Sequence, residues 1–201
     1  WQELTATSSA DPAALQDTLD ELIRRYSEPH RAYHNCAHVL ALLDQLNTVP
    51  GFDDQEAVWM AAFFHDVLYF PERTDNETES ARLAENRLAS LNWPSERIAR
   101  VSDMIVRTAR HDGQNADPDT LHFLDADLSI LGSASYPDYA TAIRQEYSFV
   151  PLPLYRSERA KILRRFLERP FIYYTPHFRD RFEALARENV EGEIRELEGA
   201  T

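Results

Sequence analysis

Residues 57–70 read Ala57-Val58-Trp59-Met60-Ala61-Ala62-Phe63-Phe64-His65-Asp66-Val67-Leu68-Tyr69-Phe70, apolar or aromatic throughout except for one adjacent histidine and aspartate. A helix that is apolar on every side lies buried at the centre of a helical core. The pattern predicts such a helix from Asp53 to Phe70, ended by Pro71, with Trp59, Phe63 and Phe64 in the core. An ionised aspartate in that setting is costly unless it is paired, hydrogen-bonded or bound to a metal. A His–Asp hydrogen bond to neighbouring helices would answer that cost, and so would a cation.

Working outward, helical spacing continues nearly everywhere, and only 5 of 201 residues are glycine, so the chain reads as all-α. Asp11 and Pro12 open a helix to about Tyr26, after a loose tail over residues 1–10. A second helix is expected over Tyr33–Asn47, closed by Pro50-Gly51. Beyond the central helix, Thr74 and Glu77 match a Thr-x-x-Glu capping box for a helix to Leu91, and Pro94 starts another that reaches Arg110 or His111. Further helices are expected near Thr120–Leu131, Pro137–Phe149, Tyr155–Glu168 and Pro176–Glu198. With no repeat or linker, one compact helical domain over residues 11–201 is the economical reading.

Charge and cysteine content narrow the classes. The chain carries 21 Lys and Arg against 34 Asp and Glu, a net −13, which argues against a nucleic-acid-binding surface. One cysteine, Cys36, excludes an internal disulfide framework and thiolate zinc cages, so a reducing, cytoplasmic setting is expected. No apolar run approaches the ~18 residues of a membrane span, so no membrane partner is expected. A start at Trp1 suggests a trimmed or processed N-terminus.

Two further segments carry polar groups in apolar text. His34 and His38 stand four apart, about 40° from one another on a helix, so both imidazoles can face one point. In Leu121-His122-Phe123-Leu124-Asp125-Ala126-Asp127-Leu128, the two aspartates point to different sides, so at most one joins a given site and the other is a cap or surface residue. Three segments thus each bring a His or Asp inward. Imidazole with carboxylate suits a divalent metal such as Zn, Mn, Fe or Co.

His38, His65-Asp66 and Asp127 resemble the ligand order His, His-Asp, Asp of the HD-domain superfamily of metal-dependent phosphohydrolases. The local text Tyr33-His34-Asn35-x-x-His38, His65-Asp66 and Ala126-Asp127-Leu128-Ser129 is similar to the metal site of class I cyclic nucleotide phosphodiesterases. Over nearly its whole length the chain resembles the bacterial predicted metal-dependent HD phosphohydrolases, through Arg31-x-Tyr33-His34-Asn35-x-x-His38-Val39, Phe64-His65-Asp66, Phe123 to Gly132 and Ile143-Arg144-x-Glu146-Tyr147.

The resemblance implies an all-helical HD-type fold and hydrolysis of a phosphoester or phosphoanhydride in a small compound, a nucleotide most plausibly. It implies His38, His65, Asp66 and Asp127 as ligands of a divalent ion (Mn, Zn, Fe, Co, Ni or Mg), with Asp66 able to bridge toward a second ion. His34 would be the acid that protonates the leaving oxygen rather than a ligand. The chain is much shorter than a phosphodiesterase catalytic domain and shows no purine-holding glutamine, so cyclic nucleotide specificity does not carry over.

Arg144 and His111 are candidates for phosphate, against plainer readings as an ion pair with Glu146 and as a histidine complementing a helix dipole. The capping box accounts for Glu77, and Cys36 is expected to pack as a small hydrophobe. Two alternatives stand beside hydrolysis: a non-catalytic nucleotide-binding module, and a di-iron oxygenase, for which only His111 could add a ligand.

Overall fold

The computed structural model describes Trp1 and residues 10–199, and every regular element among them is helical. In chain order these are α1 Pro12–Tyr26, α2 Cys36–Leu46, α3 Gln55–Phe64, α4 Asn76–Ser90, α5 Ser95–Thr108, α6 Pro118–Asp127, a 3-10 helix Leu128–Gly132, α7 Tyr136–Glu146, α8 Leu152–Leu167 and α9 Pro176–Gly199. Of the tail expected over residues 1–10, residues 2–9 lie outside the described residues. The chain gathers into two units, Trp1–Leu124 and Asp125–Thr201, with the boundary inside α6.

In the first unit, α4 packs against α5, and α3 packs against α2, α4 and α5. Asp11 caps α1 by accepting from the Ala13 N–H, with Pro12 in the first turn as expected. Leu42, Leu46, Val58, Met60, Ala61, Phe64, Leu88, Val101, Met104 and Ile105 form the core, each 2 % exposed or less. Burying side chains of this size contributes ~1.5–3 kcal/mol each for the larger ones. α3 is therefore central, although Trp59 and Phe63 are only half-buried.

The entrance to α3 is set by charge. Asp54 caps it by accepting from the Ala57 N–H at 3.1 Å and is paired with Arg97. Buried Asp119, at the start of α6, accepts from the backbone N–H groups of Asp53 and Asp54 at 3.0 and 2.8 Å and from Arg100 at 2.9 Å. Burial works against ionisation of Asp54, but Arg97 and the cap hydrogen bond outweigh it and hold the carboxyl below its ordinary value.

In the second unit, α9 packs against α8 and the 3-10 helix, which also meets α7. Tyr173, Phe178, Leu163, Leu131, Ala186 and Val190 fill its core. Gly132 is needed there for space: a Cβ at this position would fall 2.6 Å from the Phe182 carbonyl oxygen. α8 starts at Leu152, three residues before its expected start, because Pro153 is tolerated in a first turn, where its missing N–H costs no bond.

Candidate metal centre

The end of α3 makes the site. The predicted helix ran to Phe70, but the observed one stops at Phe64, and residues 65–68 form turns. Its last regular i to i−4 bond is made by the His65 N–H, and the carbonyls after it are taken by groups a continuing helix would not use. The His65 N–H donates to Ala61 O, the Tyr26 hydroxyl to Phe63 O at 3.0 Å, and the Val67 N–H to Phe64 O. The ring of His65 reaches back to Ala62 O, its Nδ1 at 3.0 Å.

A carbonyl only accepts, so Nδ1 of His65 carries the proton and Nε2 of the neutral ring presents a lone pair. That Nε2 lies 3.0 Å from Nε2 of His38 and 2.9 Å from Oδ2 of Asp66, and His38 Nε2 is 3.6 Å from the same oxygen. Both histidines are buried. Two donors bound at right angles about 2.1 Å from one ion stand about 3.0 Å apart, so the imidazole pair is spaced as cis ligands are. The residues present therefore fit a divalent cation.

Asp127 is the last residue of α6, one turn beyond Phe123, whose ring meets His65 edge-on with centroids 6.0 Å apart. His38, His65 and Asp127 each offer one ligand atom, these atoms all lie within 4.8 Å of one another, and the group could hold a metal ion. Burial opposes ionisation of Asp66, but the charges of His65, His34 and His38 and the contact with His65 outweigh it and hold its carboxyl below the usual range.

His34 does not share a helix with His38. α2 begins at Cys36, with the side chain of Asn35 capping it through the Ala37 N–H at 2.8 Å, so His34 lies in the preceding turn. The capping choice of Asn35 overrides the apolar spacing that suggested an earlier start. The two rings still approach to 5.8 Å, and His34 stacks on Tyr69 at 4.1 Å with planes 29° apart. Cys36, at the first position of α2, is exposed rather than packed.

The Thr74–Glu77 capping box does not form. α4 begins at Asn76, because Asp75 pairs with Arg73 while Asn76 bonds the Phe70 backbone through both its amide groups. Glu77 is instead half-buried. Burial pushes its carboxyl up, its own N–H opposes the rise, the Asp66 charge adds to it, and His111 and His34 counter it. Glu77, Asp66, His34 and His111 thus share one electrostatic neighbourhood, which the capping reading concealed.

His111 follows α5 with φ 46°, in the left-handed region, and the Asp112 N–H returns to Arg107 O to close the helix end. Asp125 is fully buried and accepts from the N–H groups of Tyr174 and Thr175 and from the Thr175 hydroxyl, each at 2.7 Å, a capping role before α9. Arg144, in the second unit, does not pair with Glu146. It donates to Tyr147 O at 2.5 Å and Val150 O at 3.3 Å and covers the Tyr155 ring.

No family model matches the chain, and comparisons with curated proteins and with solved structures likewise find no match. Among the described residues, no helix is long and apolar enough to cross a membrane.

Proposed function

We propose that the chain is an HD-type, metal-dependent phosphohydrolase acting on a small phosphorylated compound, a nucleotide first among them. The observation that carries this reading is the Nε2 pair of His38 and His65, 3.0 Å apart, with the His65 proton committed to Ala62 on the far side of the ring. His38, His65, Asp66 and Asp127 would hold the ion, which balances two carboxylates beside two neutral imidazoles. A bound divalent ion there supplies Lewis acidity toward water and a phosphoryl oxygen.

The chain's own groups do the rest. His34, held against Tyr69 outside the ligand set, donates the proton that the leaving oxygen requires. Asp66, held below the usual carboxylate range, stays ionised beside both Nε2 atoms and adds its charge to the ligand set. His111 supplies a donor for the phosphate from beside Glu77. Glu77, whose carboxyl is pushed up by burial and by the Asp66 charge, stands in the same neighbourhood.

The test is direct. Chelator-treated protein is titrated calorimetrically with Mn, Co, Ni, Zn, Fe(II) and Mg, then assayed on aryl phosphate mono- and diesters and on a nucleotide panel. Tight binding of at least one ion, with hydrolysis only in its presence, is expected. Absence of binding by every ion, or binding without hydrolysis across the panel, refutes the assignment.

A further inference from the structure

We infer that Arg31 is a positioning residue that fixes where the His34 imidazole stands relative to the His65–Asp66 turn. It rests on the proposed function only for its consequence on turnover. Nη1 of Arg31 donates to the His34 carbonyl oxygen at 2.9 Å and to the Asp66 carbonyl oxygen at 2.7 Å, so one nitrogen ties together two segments more than 30 residues apart. Nη2 donates to Val67 O at 3.0 Å, and Nε faces Glu28 at 3.2 Å. The side chain is fully buried, with the rings of Tyr26 and Tyr69 at 5.1 and 5.7 Å.

Three features make this placement rather than general packing. The carbonyls of Asp66 and Val67 follow the end of α3, where no backbone N–H of the helix can reach them, and a cation suits a helix C-terminus. Tyr69, on which His34 stacks, lies two residues beyond Val67, so the turn that Arg31 grips also carries the surface that orients the ring. The bonds go to backbone atoms on both sides, which leaves the imidazole and carboxylate of His34 and Asp66 for chemistry. Only a guanidinium offers planar donors that span three carbonyls, whereas lysine presents its donors at one point.

The experiment compares the unaltered chain with Arg31→Lys and Arg31→Gln, each checked for helical circular dichroism. The primary readout is the ring-proton shift of His34 in metal-free protein, moved upfield by stacking on Tyr69. Co(II) affinity and the kcat and KM for an aryl phosphate ester are measured alongside. In Arg31→Lys the upfield shift is expected to be lost, Co(II) affinity and KM to be unchanged, and kcat to fall about tenfold to hundredfold, part of what a positioned general acid is worth. A His34 signal that stays in place in both variants, or Co(II) affinity lost in step with turnover, overturns the inference. If the unaltered chain hydrolyses nothing, the phosphohydrolase reading falls, and the His34 shift still decides the role of Arg31.

Discussion

His65 donates from Nδ1 to the carbonyl oxygen of Ala62, three residues earlier on the last turn of α3, at 3.0 Å. One bond therefore satisfies a helix-end carbonyl and selects the ring nitrogen that faces His38 and Asp66. In the neutral ring that nitrogen presents the lone pair a divalent ion would take, 2.9 Å from the Asp66 carboxylate oxygen. An ion bound by the folded chain alone would stabilise it by about 2.7 kcal/mol when its concentration is a hundred times Kd. Thermal melts with and without Co(II) or Zn(II) should show a clear rise in Tm for the unaltered chain. His65→Ala should melt at the same temperature under both conditions, and a rise of equal size in that variant would remove His65 from the ligand set.

His34 separates binding from turnover. It lies before the cap of α2, stacked on Tyr69, with its ring 5.8 Å from that of His38. His34→Ala should bind Co(II) as the unaltered chain does and lose 10²- to 10⁴-fold in kcat, on the order expected for a general acid. Calorimetry and steady-state rates on the same preparation check this. Loss of Co(II) binding in His34→Ala would make His34 a ligand and leave the proton donor unassigned.

Asp54 gives the fold an acid-sensitive joint. Arg97 and the cap hydrogen bond hold its carboxyl below the ordinary value despite burial, so the folded state keeps it ionised where the unfolded chain, with a pKa near ~3.9, begins to take up a proton. The sign follows: the contribution is complete at neutral pH and is lost as pH falls below about 4 and through the lowered folded value. Urea unfolding of the unaltered chain and Asp54→Asn at pH 7 and pH 3 should show a gap in midpoint at pH 7 that narrows at pH 3. An equal gap at both values would mean that the cap geometry, not the charge, matters.

How much was legible in the sequence depended on the range of the deciding contacts. The helices and the closely approaching histidines His38 and His65 could be read, because helical spacing is local and because a histidine within apolar text is conspicuous wherever the chain goes. The end of α3 could not. Val67, Leu68 and Tyr69 continue the apolar pattern past Phe64, and the helix stops because Tyr26 and Arg31, from the start of the chain, take over the carbonyls around the break. The failed capping box has a local origin instead, since Asp75 and Asn76 are engaged by Arg73 and Phe70, two and six residues earlier. The roles of Arg31 and Glu77 therefore stayed hidden: Arg31 stood in the motif text without an assigned task and Glu77 fitted a cap, and only the folded chain brings them beside the His-Asp turn.

His111 offers a trade between stability and function. Its φ of 46° is one that glycine adopts at no steric cost and that an L side chain adopts at a penalty of about 1 kcal/mol. The position follows α5, where glycine is the commonest way to end a helix, so a histidine there calls for a reason beyond the backbone. Its influence on the Glu77 carboxyl supplies one, because it places the imidazole in the neighbourhood shared with Asp66 and His34. His111→Gly should then unfold at a higher urea concentration, by up to about 1 kcal/mol, and hydrolyse its best substrate with a raised KM. A variant that is more stable and kinetically unchanged would confine His111 to ending the helix. A variant less stable than the unaltered chain would mean that contacts of the imidazole itself outweigh the backbone strain.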